Sequence, residues 1–254
     1  MFRKYPKEGL VAQTYWRNHH TQTLEFVRQK QKCFFKFEKA TMSLWEMISQ
    51  LENIKDESDP DTNLPQSQHA FQTAERLRKH HPDKDWLHLV GLIHDCGKIL
   101  LQFGEMQEHV VGDIYPVGVK HDPAIIYYDF FEDNPDWCKY DEDGLYEAGC
   151  GFDALCMSWG HDQYFSAVLT NHKTCVLPYE ALYIIRYHSF YAWHQKGAYS
   201  KFANDRDREC LPYLKLFQEC DLYSKHEEPI CVNDLKPYYD GLMKKYGIDG
   251  NIYI

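Results

Sequence analysis

Four histidines and two aspartates lie where the apolar pattern of the chain predicts buried side chains. Side chains of these types are seldom buried unless they are paired or bound to a metal. A lone inward histidine is more often a hydrogen-bonded core residue, but this larger set is hard to satisfy by hydrogen bonds alone. Imidazole and carboxylate ligands together suit iron, manganese, zinc or cobalt. The sequence therefore predicts a metal site made of His69, His94, Asp95, His161, His188 and Asp221.

The adjacent pair His94 and Asp95, in "VGLIHDCGKIL", bears on how many metals this site holds. Neighbouring side chains on an ideal α-helix diverge by about 100°. The two residues are therefore not expected to bind one metal from a regular helical turn. A carboxylate has two oxygens, so Asp95 can bridge two metals while His94 binds one of them. Six ligands are a sensible number for a two-metal site that leaves room for substrate.

Amphipathic helices must position these residues. The stretch "SLWEMISQLEN" begins with a capping box, Ser43 to Glu46, and has apolar residues at helical spacing. The stretch "SQHAFQTAERLRKHHP", which carries His69, predicts a helix that ends before Pro82. The next stretch, "KDWLHLVGLIHDCGKILLQFG", is apolar nearly all round and predicts a central helix that carries His94.

Residues 112–151 break the helical pattern, because short β-prone runs alternate there with turn residues. They predict a long irregular excursion with a short β-hairpin, a kind of segment that often covers an active site. Helical spacing returns in "GFDALCMSWGHDQYFSAVLTNH", "LPYEALYIIRYHSFYAWH", "CLPYLKLFQECDLYSK" and "DLKPYYDGLMKKYG". Pro178 suits a first helical turn, and Gly247 is a stop signal. The predicted fold class is all-α with minor β.

Composition restricts the function further. The chain has 254 residues and a hydrophobic fraction of 44%, which predicts one globular domain over residues 1–254. A net charge of -10 disfavours binding to nucleic acid or to an anionic membrane, since both need a cationic surface. The nine cysteines form no C-x-x-C pair, which favours reduced thiols. We expect a cytoplasmic monomer without a membrane span.

The order H…HD…D, here His69, His94-Asp95 and Asp221, is the signature of the HD-domain superfamily of helical, metal-dependent enzymes. Longer strings are more specific. In this order, "DESDPD", "HAFQTAE", "KDWLHLVGLIHDCGK", "VVGD", "MSWGHDQY", "IRYHSFYAWH" and "DLYSK" closely resemble the myo-inositol oxygenase family. Its members have an HD-type fold and a non-haem di-iron centre. The resemblance implies an HD-domain-like helical bundle with short β-hairpin elements.

The resemblance also implies roles for individual residues. One iron corresponds to the ligands His69, His94, Asp95 and Asp221, and the other to Asp95, His161 and His188. The polyol-binding positions of the family correspond to Arg3, Asp56, Glu57, Ser58, Lys98, Gly112, Asp113, His188, Ser189 and Lys225. The implied catalytic residues are Asp95, which bridges the irons, and Lys98, which favours an alkoxide form of the substrate. The implied reaction, in inositol catabolism, converts myo-inositol and O2 to D-glucuronate and water at a mixed-valent Fe(II)/Fe(III) pair.

Two alternatives belong to other classes. An HD-type phosphohydrolase acting on a nucleotide or phosphodiester would use the same first four ligands to activate a hydroxide. The motifs, however, carry no basic cluster beyond Lys98 and Lys225, and neither His161 nor His188 belongs to the minimal HD set. A non-catalytic helical scaffold or ligand sensor would have lost metal ligands, and all six are present.

Overall fold

α-Helices make up most of the computed structural model, which describes residues 5–60, 65–223 and 232–254. The α-helices in these ranges are α1 (Leu10–Thr21), α2 (Leu24–Phe34), α3 (Leu44–Leu51), α4 (Gln66–His80), α5 (Asp85–Ile93), α6 (Gln107–Val110), α7 (His161–Asn171), α8 (Tyr179–Tyr187), α9 (Tyr191–His194), α10 (Asp205–Tyr223) and α11 (Val232–Lys245). Short 3₁₀ helices are formed by Cys96–Phe103, Tyr128–Asp133 and Phe152–Ala154. The predicted all-α class is confirmed.

Helix α3 begins at the predicted capping box. The Ser43 hydroxyl accepts a hydrogen bond from the Glu46 backbone N–H at 3.3 Å, and the Glu46 carboxylate accepts one from the Ser43 N–H at 2.7 Å. These bonds satisfy backbone donors that the first helical turn leaves unpaired. The helix then buries its predicted apolar face, Leu44, Met47, Ile48 and Leu51.

Helices α4 and α5 pack closely against each other. A Cβ atom on Gly91 would lie only 2.7 Å from the Cα of Ala74, so the glycine permits this approach. Helix α4 ends at His80, before Pro82 as predicted. The close packing brings His69 and His94 together, with their ring centroids 5.5 Å apart.

The single long helix predicted through His94 and Asp95 is wrong. Helix α5 ends at Ile93, and the chain continues as a 3₁₀ helix from Cys96. Asp95 between them has φ −92° and ψ 2°, outside the α-helical region. A pattern that is apolar all round does not separate an α-helix from a buried 3₁₀ turn.

Two further predicted helices begin or end within the stretch assigned to them. The stretch from Gly151 forms a short 3₁₀ helix first, and α7 begins only at His161. Helix α8 ends at Tyr187, so His188 lies just beyond its last turn. Pro178 is the residue before α8 and not a member of its first turn. Each of these ends places a histidine at a helix terminus.

The hairpin predicted for residues 112–151 is also wrong. Within these residues the structure has turns, the 3₁₀ helix 128–133 and one isolated bridge, from Pro116 to Met157. The β-prone residues bury their side chains without strand pairing; Phe131, for example, stacks on His19 at a centroid distance of 4.0 Å. The antiparallel strand pair forms instead between β1 (Thr41–Met42) and β2 (Ile252–Tyr253).

Nearly all of the described buried apolar residues form one hydrophobic cluster that extends from Leu24 to Ile254. It contains residues from α2, from the helices α3 to α11, and from β2. Among the described residues, none of the helices has the length and apolar character to cross a membrane.

Candidate metal centre

The six predicted metal-binding side chains lie together in a buried polar cavity. Each is at most 6% exposed. His69 comes from α4, and Asp221 lies near the end of α10. The other four lie at helix ends: His94 and Asp95 follow α5, His161 is the first residue of α7, and His188 follows α8.

The first half of the cluster consists of His69, His94 and Asp221. The Oδ1 atom of Asp221 lies 2.9 Å from Nε2 of His69 and 3.5 Å from Nε2 of His94. These three side chains offer ligand atoms that lie within 4.8 Å of one another. They can therefore hold one metal ion.

Asp95 joins this half to the second half of the cluster. Its Oδ2 atom lies 3.5 Å from Nε2 of His94. Its Oδ1 atom lies 3.2 Å from Nε2 of His161 and 3.7 Å from Nε2 of His188. The two carboxylate oxygens thus face different imidazole groups. The divergence expected for a regular helical turn does not apply, because Asp95 lies beyond the end of α5, and both residues line the same cavity.

Three of the histidines share one orientation, in which Nδ1 lies within hydrogen-bonding distance of a backbone carbonyl. The pairs are His94 with Gly91 at 2.9 Å, His161 with Val110 at 2.6 Å and His188 with Ile185 at 3.1 Å. A carbonyl can only accept, so the proton of a neutral ring is on Nδ1 and the lone pair is on Nε2.

The donor geometry provides a test of whether a metal fits. The Nε2 atoms of His161 and His188 lie 3.2 Å apart. Because both Nδ1 atoms face carbonyl oxygens, two neutral rings would point their lone pairs at each other across this gap. Such an arrangement needs positive charge between the nitrogens, either a proton or a cation. The residues present therefore fit a metal ion bound by imidazole and carboxylate.

The pKa values follow from burial and from the charges around the cluster. Burial lowers the pKa of His94 to about 4, which keeps its imidazole neutral. Burial would raise the pKa of Asp95, but Lys98 and His94 outweigh it and hold that pKa well below its usual value. Burial alone would lower the pKa of His188, but the neighbouring carboxylates Asp162 and Asp95 raise it to about 9. The carboxylates of the cluster thus favour one positive charge at His188.

Lys98 lies beside the cluster and is almost completely buried. Its Nζ donates to Asp95 Oδ2 at 2.8 Å and to Gln66 Oε1 at 2.9 Å, and it lies 2.9 Å from Asp56 Oδ2. Burial would raise the pKa of Asp56, but Lys98 and the Ser58 hydroxyl lower it to about 2. The lysine is therefore a fixed cation between two carboxylates.

Most of the predicted polyol-binding residues line the same cavity. These are Asp56, Ser58, Lys98, Gly112, Asp113, His188 and Ser189. Glu57 is not among the lining residues; its carboxylate accepts a hydrogen bond from the Thr14 hydroxyl at 3.3 Å. Arg3 and Lys225 lie outside the described residues.

Sequence reasoning missed three residues of this region. Asp162 is fully buried behind His161 and His188, and its position in a second His-Asp dipeptide was a signal that could have identified it. Gln66 contacts Lys98, and Tyr15 donates from its hydroxyl to Asp113 Oδ1 at 2.9 Å. Nothing in the local sequence pattern separates Gln66 or Tyr15 from ordinary helix residues.

Together, the fold and the cluster define an all-α protein with a buried histidine and aspartate centre that can hold metal ions. A sequence profile of the myo-inositol oxygenase family matches residues 8–252. The chain is 47% identical to the inositol oxygenase of Danio rerio, over 96% of this chain and 90% of that protein. It is 46% identical to the inositol oxygenase of Homo sapiens, over 96% of this chain and 88% of that protein.

A plant relative gives the same result: the chain is 46% identical to a probable inositol oxygenase of Oryza sativa subsp. japonica, over 96% of this chain and 82% of that protein. The chain belongs to the myo-inositol oxygenase family. This membership does not favour the alternative of an HD-type phosphohydrolase.

Proposed function

We propose that the chain is a di-iron oxygenase that converts myo-inositol and O2 to D-glucuronate and water by oxidative cleavage of the ring. The reaction is a four-electron oxidation of the polyol, in which O2 is the oxidant. One observation carries the proposal beyond family membership: the two oxygens of Asp95 face two different groups of imidazole nitrogens. This is the arrangement that a carboxylate shared by two metal ions requires.

In this proposal His69, His94, Asp95 and Asp221 hold one iron, and Asp95, His161 and His188 hold the other. The convergence of the His161 and His188 nitrogens supports a cation at the second position. When bound, the mixed-valent iron pair would supply Lewis acidity toward a substrate hydroxyl and electron exchange with O2.

Lys98 is the residue that would favour an alkoxide form of the substrate. Its ammonium group has three N–H donors, and three acceptors surround it: Asp95, Asp56 and Gln66. A substrate oxygen must replace one of them to contact the lysine. Gln66 is the neutral acceptor, so its replacement loses the least attraction. A cation at this position lowers the pKa of a nearby hydroxyl by stabilising its anion.

The proposed substrate is an uncharged ring, so hydrogen-bonding groups must select it. Asp113 and Ser189 line the cavity with oxygen atoms. Asp113 is fixed by the Tyr15 hydroxyl. Gly112 has φ +97°, and a Cβ there would lie 3.3 Å from the Tyr15 ring, so glycine suits this turn. The segment thus presents a rigid polar wall to a polyol.

We also propose that the chain acts as a cytoplasmic monomer of one domain, without a nucleic-acid or membrane partner. The continuous hydrophobic cluster from Leu24 to Ile254 supports the single domain. The net charge of -10 supports the absence of polyanionic partners, since a negative surface repels them.

The test is to load the purified protein anaerobically with Fe(II), add myo-inositol and limited O2, and measure glucuronate. The wild type should bind two irons and form product. His161→Ala should lose the second iron and all turnover. His20→Ala, which changes an exposed histidine on α1, is the matched control and should keep both. Two bound irons without glucuronate would refute the proposal, and hydrolysis of phosphoesters would favour the phosphohydrolase.

A further inference from the structure

A carboxylate outside the predicted ligand set lies directly behind two of its histidines. Asp162 is the second residue of α7 and has no exposed surface. Its Oδ1 atom lies 3.0 Å from Nδ1 of His188, and its Oδ2 atom lies 3.4 Å from Nδ1 of His161. One side chain therefore contacts the outer nitrogens of both rings whose inner nitrogens converge.

Ordinary hydrogen bonds do not account for the burial of the Asp162 carboxylate. Its Oδ1 accepts a long hydrogen bond from the Ser189 N–H at 3.3 Å. Within the described part of the chain, Oδ2 has no hydrogen-bond partner of acceptable geometry. A buried carboxylate is costly unless positive charge compensates for it. Its position in the first turn of α7 gives partial compensation from the helix dipole. The groups that face its two oxygens are the outer nitrogens of the two imidazoles.

His94, in the other half of the centre, has a backbone carbonyl behind its ring. Behind His161 and His188 there is a carboxylate in addition to a backbone carbonyl. The Nδ1 of His94 donates to the carbonyl of Gly91. A carboxylate behind a metal-binding imidazole fixes the ring and raises its basicity, and loss of such a group typically lowers metal affinity about 10–100-fold.

We propose that Asp162 is a positioning residue that orients and polarises His161 and His188, and that it sets the affinity of the metal position they form. The position formed by His69 and His94 does not depend on it. Asp162 also holds the N–H of Ser189, whose carbonyl accepts from Ile114 N–H at 3.0 Å. It thereby connects the second metal position to the cavity wall. This inference rests on the proposed two-metal function.

The test is anaerobic equilibrium dialysis of the iron-free chain against Fe(II), with bound iron per chain measured over a range of concentrations. Asp162→Asn keeps the size of the side chain and removes its charge. We expect its second binding step to weaken about 10–100-fold, while the first step changes by less than about threefold. An unchanged second step would overturn the proposal, and so would an equal weakening of both steps.

A matched control separates positioning from general loss of stability. Asp207 is also a buried carboxylate, and it accepts from the N–H groups of Phe152 and Asn204 and from the Tyr183 hydroxyl. Asp207→Asn should lower the melting temperature of the iron-free chain and leave both iron-binding steps unchanged. If it weakens the second step as much as Asp162→Asn does, the effect is not specific and the proposal is wrong.

Two further measurements cover a variant that does not fold and a failure of the proposed function. If Asp162→Asn does not fold, Asp162→Glu is measured instead; it retains the charge but displaces the carboxylate by one methylene, and the same selective loss is expected. Failure of the proposed function gives different results: the wild-type chain would bind fewer than two irons, or would bind two irons and form no glucuronate. A wild type with two irons and an unaffected variant refutes only the role of Asp162.

Discussion

Replacing Lys98 by methionine should strongly destabilise the iron-free protein. The lysine is 5% exposed, and its Nζ lies 2.8 Å from an Asp95 oxygen and 2.9 Å from an Asp56 oxygen. Methionine keeps most of the length but has no charge and no donor, so both carboxylates stay buried without their partner. Removing one member of a buried ion pair costs about 3–5 kcal/mol. This is a large share of the roughly 5–15 kcal/mol that stabilises a typical domain.

The pKa of Asp56 gives an independent magnitude and a pH dependence. Burial would raise it, but Lys98 and Ser58 lower it from 3.8 to about 2. A difference of roughly two pKa units corresponds to about 2–3 kcal/mol. Because the folded pKa lies below the unfolded value, this stabilisation is complete above the unfolded pKa and is lost as the pH falls toward 2. Without Lys98, burial raises the pKa of Asp56, and the deficit of the variant should therefore shrink as the pH is lowered from 7 to 5.

Urea denaturation of the iron-free proteins at these two pH values is the assay. Lys98→Met with Asp56→Asn should recover part of the lost stability, because the unpaired carboxylate is gone. Lys120→Met is the control: Lys120 pairs with Glu142 at 2.6 Å on the surface, and the change should leave the unfolding free energy nearly unchanged. A loss below about 1 kcal/mol for Lys98→Met, or no recovery in the double variant, would refute the reasoning.

Three other predictions concern packing, capping and metal binding. Gly97→Ala should lower the melting temperature and reduce the bound iron, because its Cβ would lie 2.2 Å from the His161 carbonyl oxygen. Ser43→Ala should cost about 1 kcal/mol in urea denaturation, since it removes the cap that bonds to Glu46. Iron binding near pH 7.5 should release about one proton from His188, whose pKa the neighbouring carboxylates raise to about 9 against the effect of burial; calorimetry in buffers of different ionisation enthalpy measures this release.

Periodicity predicted the helices whose burial is one-sided and whose ends carry local signals. Helix α3 has its capping box, α4 ends before Pro82, and α11 is followed by Gly247 with φ +69°. The ends of α5 and α8 could not be predicted, because the chain remains buried on all sides after each helix. The excursion at 112–151 was recognised from its turn residues, but its aromatic side chains pack without forming strands.

The candidate site was predictable as a set of residues and not as a geometry. His69 and Asp221 interrupt an apolar helix face, so the sequence pattern alone predicts their burial. In the structure, His69 Nε2 lies 2.9 Å from Asp221 Oδ1. Asp162 was not predicted as part of the site, because it follows His161 in the first turn of α7, where an acidic residue is common. Only the fold reveals that this carboxylate also meets His188, which is 26 residues further along the chain.

The single long helix predicted through His94 and Asp95 is wrong for a physical reason that recurs at His188. Both histidines are the first residue after a helix, and the Nδ1 of each faces the carbonyl three residues earlier, at Gly91 and at Ile185. Each histidine keeps α-helical backbone angles at the end of its helix, and the carbonyl contact fixes its ring so that Nε2 points into the cavity. Helix ends therefore supply four of the six side chains of this cluster, as expected where function outweighs local regularity. A prediction that extends each helix through its histidine identifies residues that line one cavity, but it does not place the His94 and Asp95 side chains together.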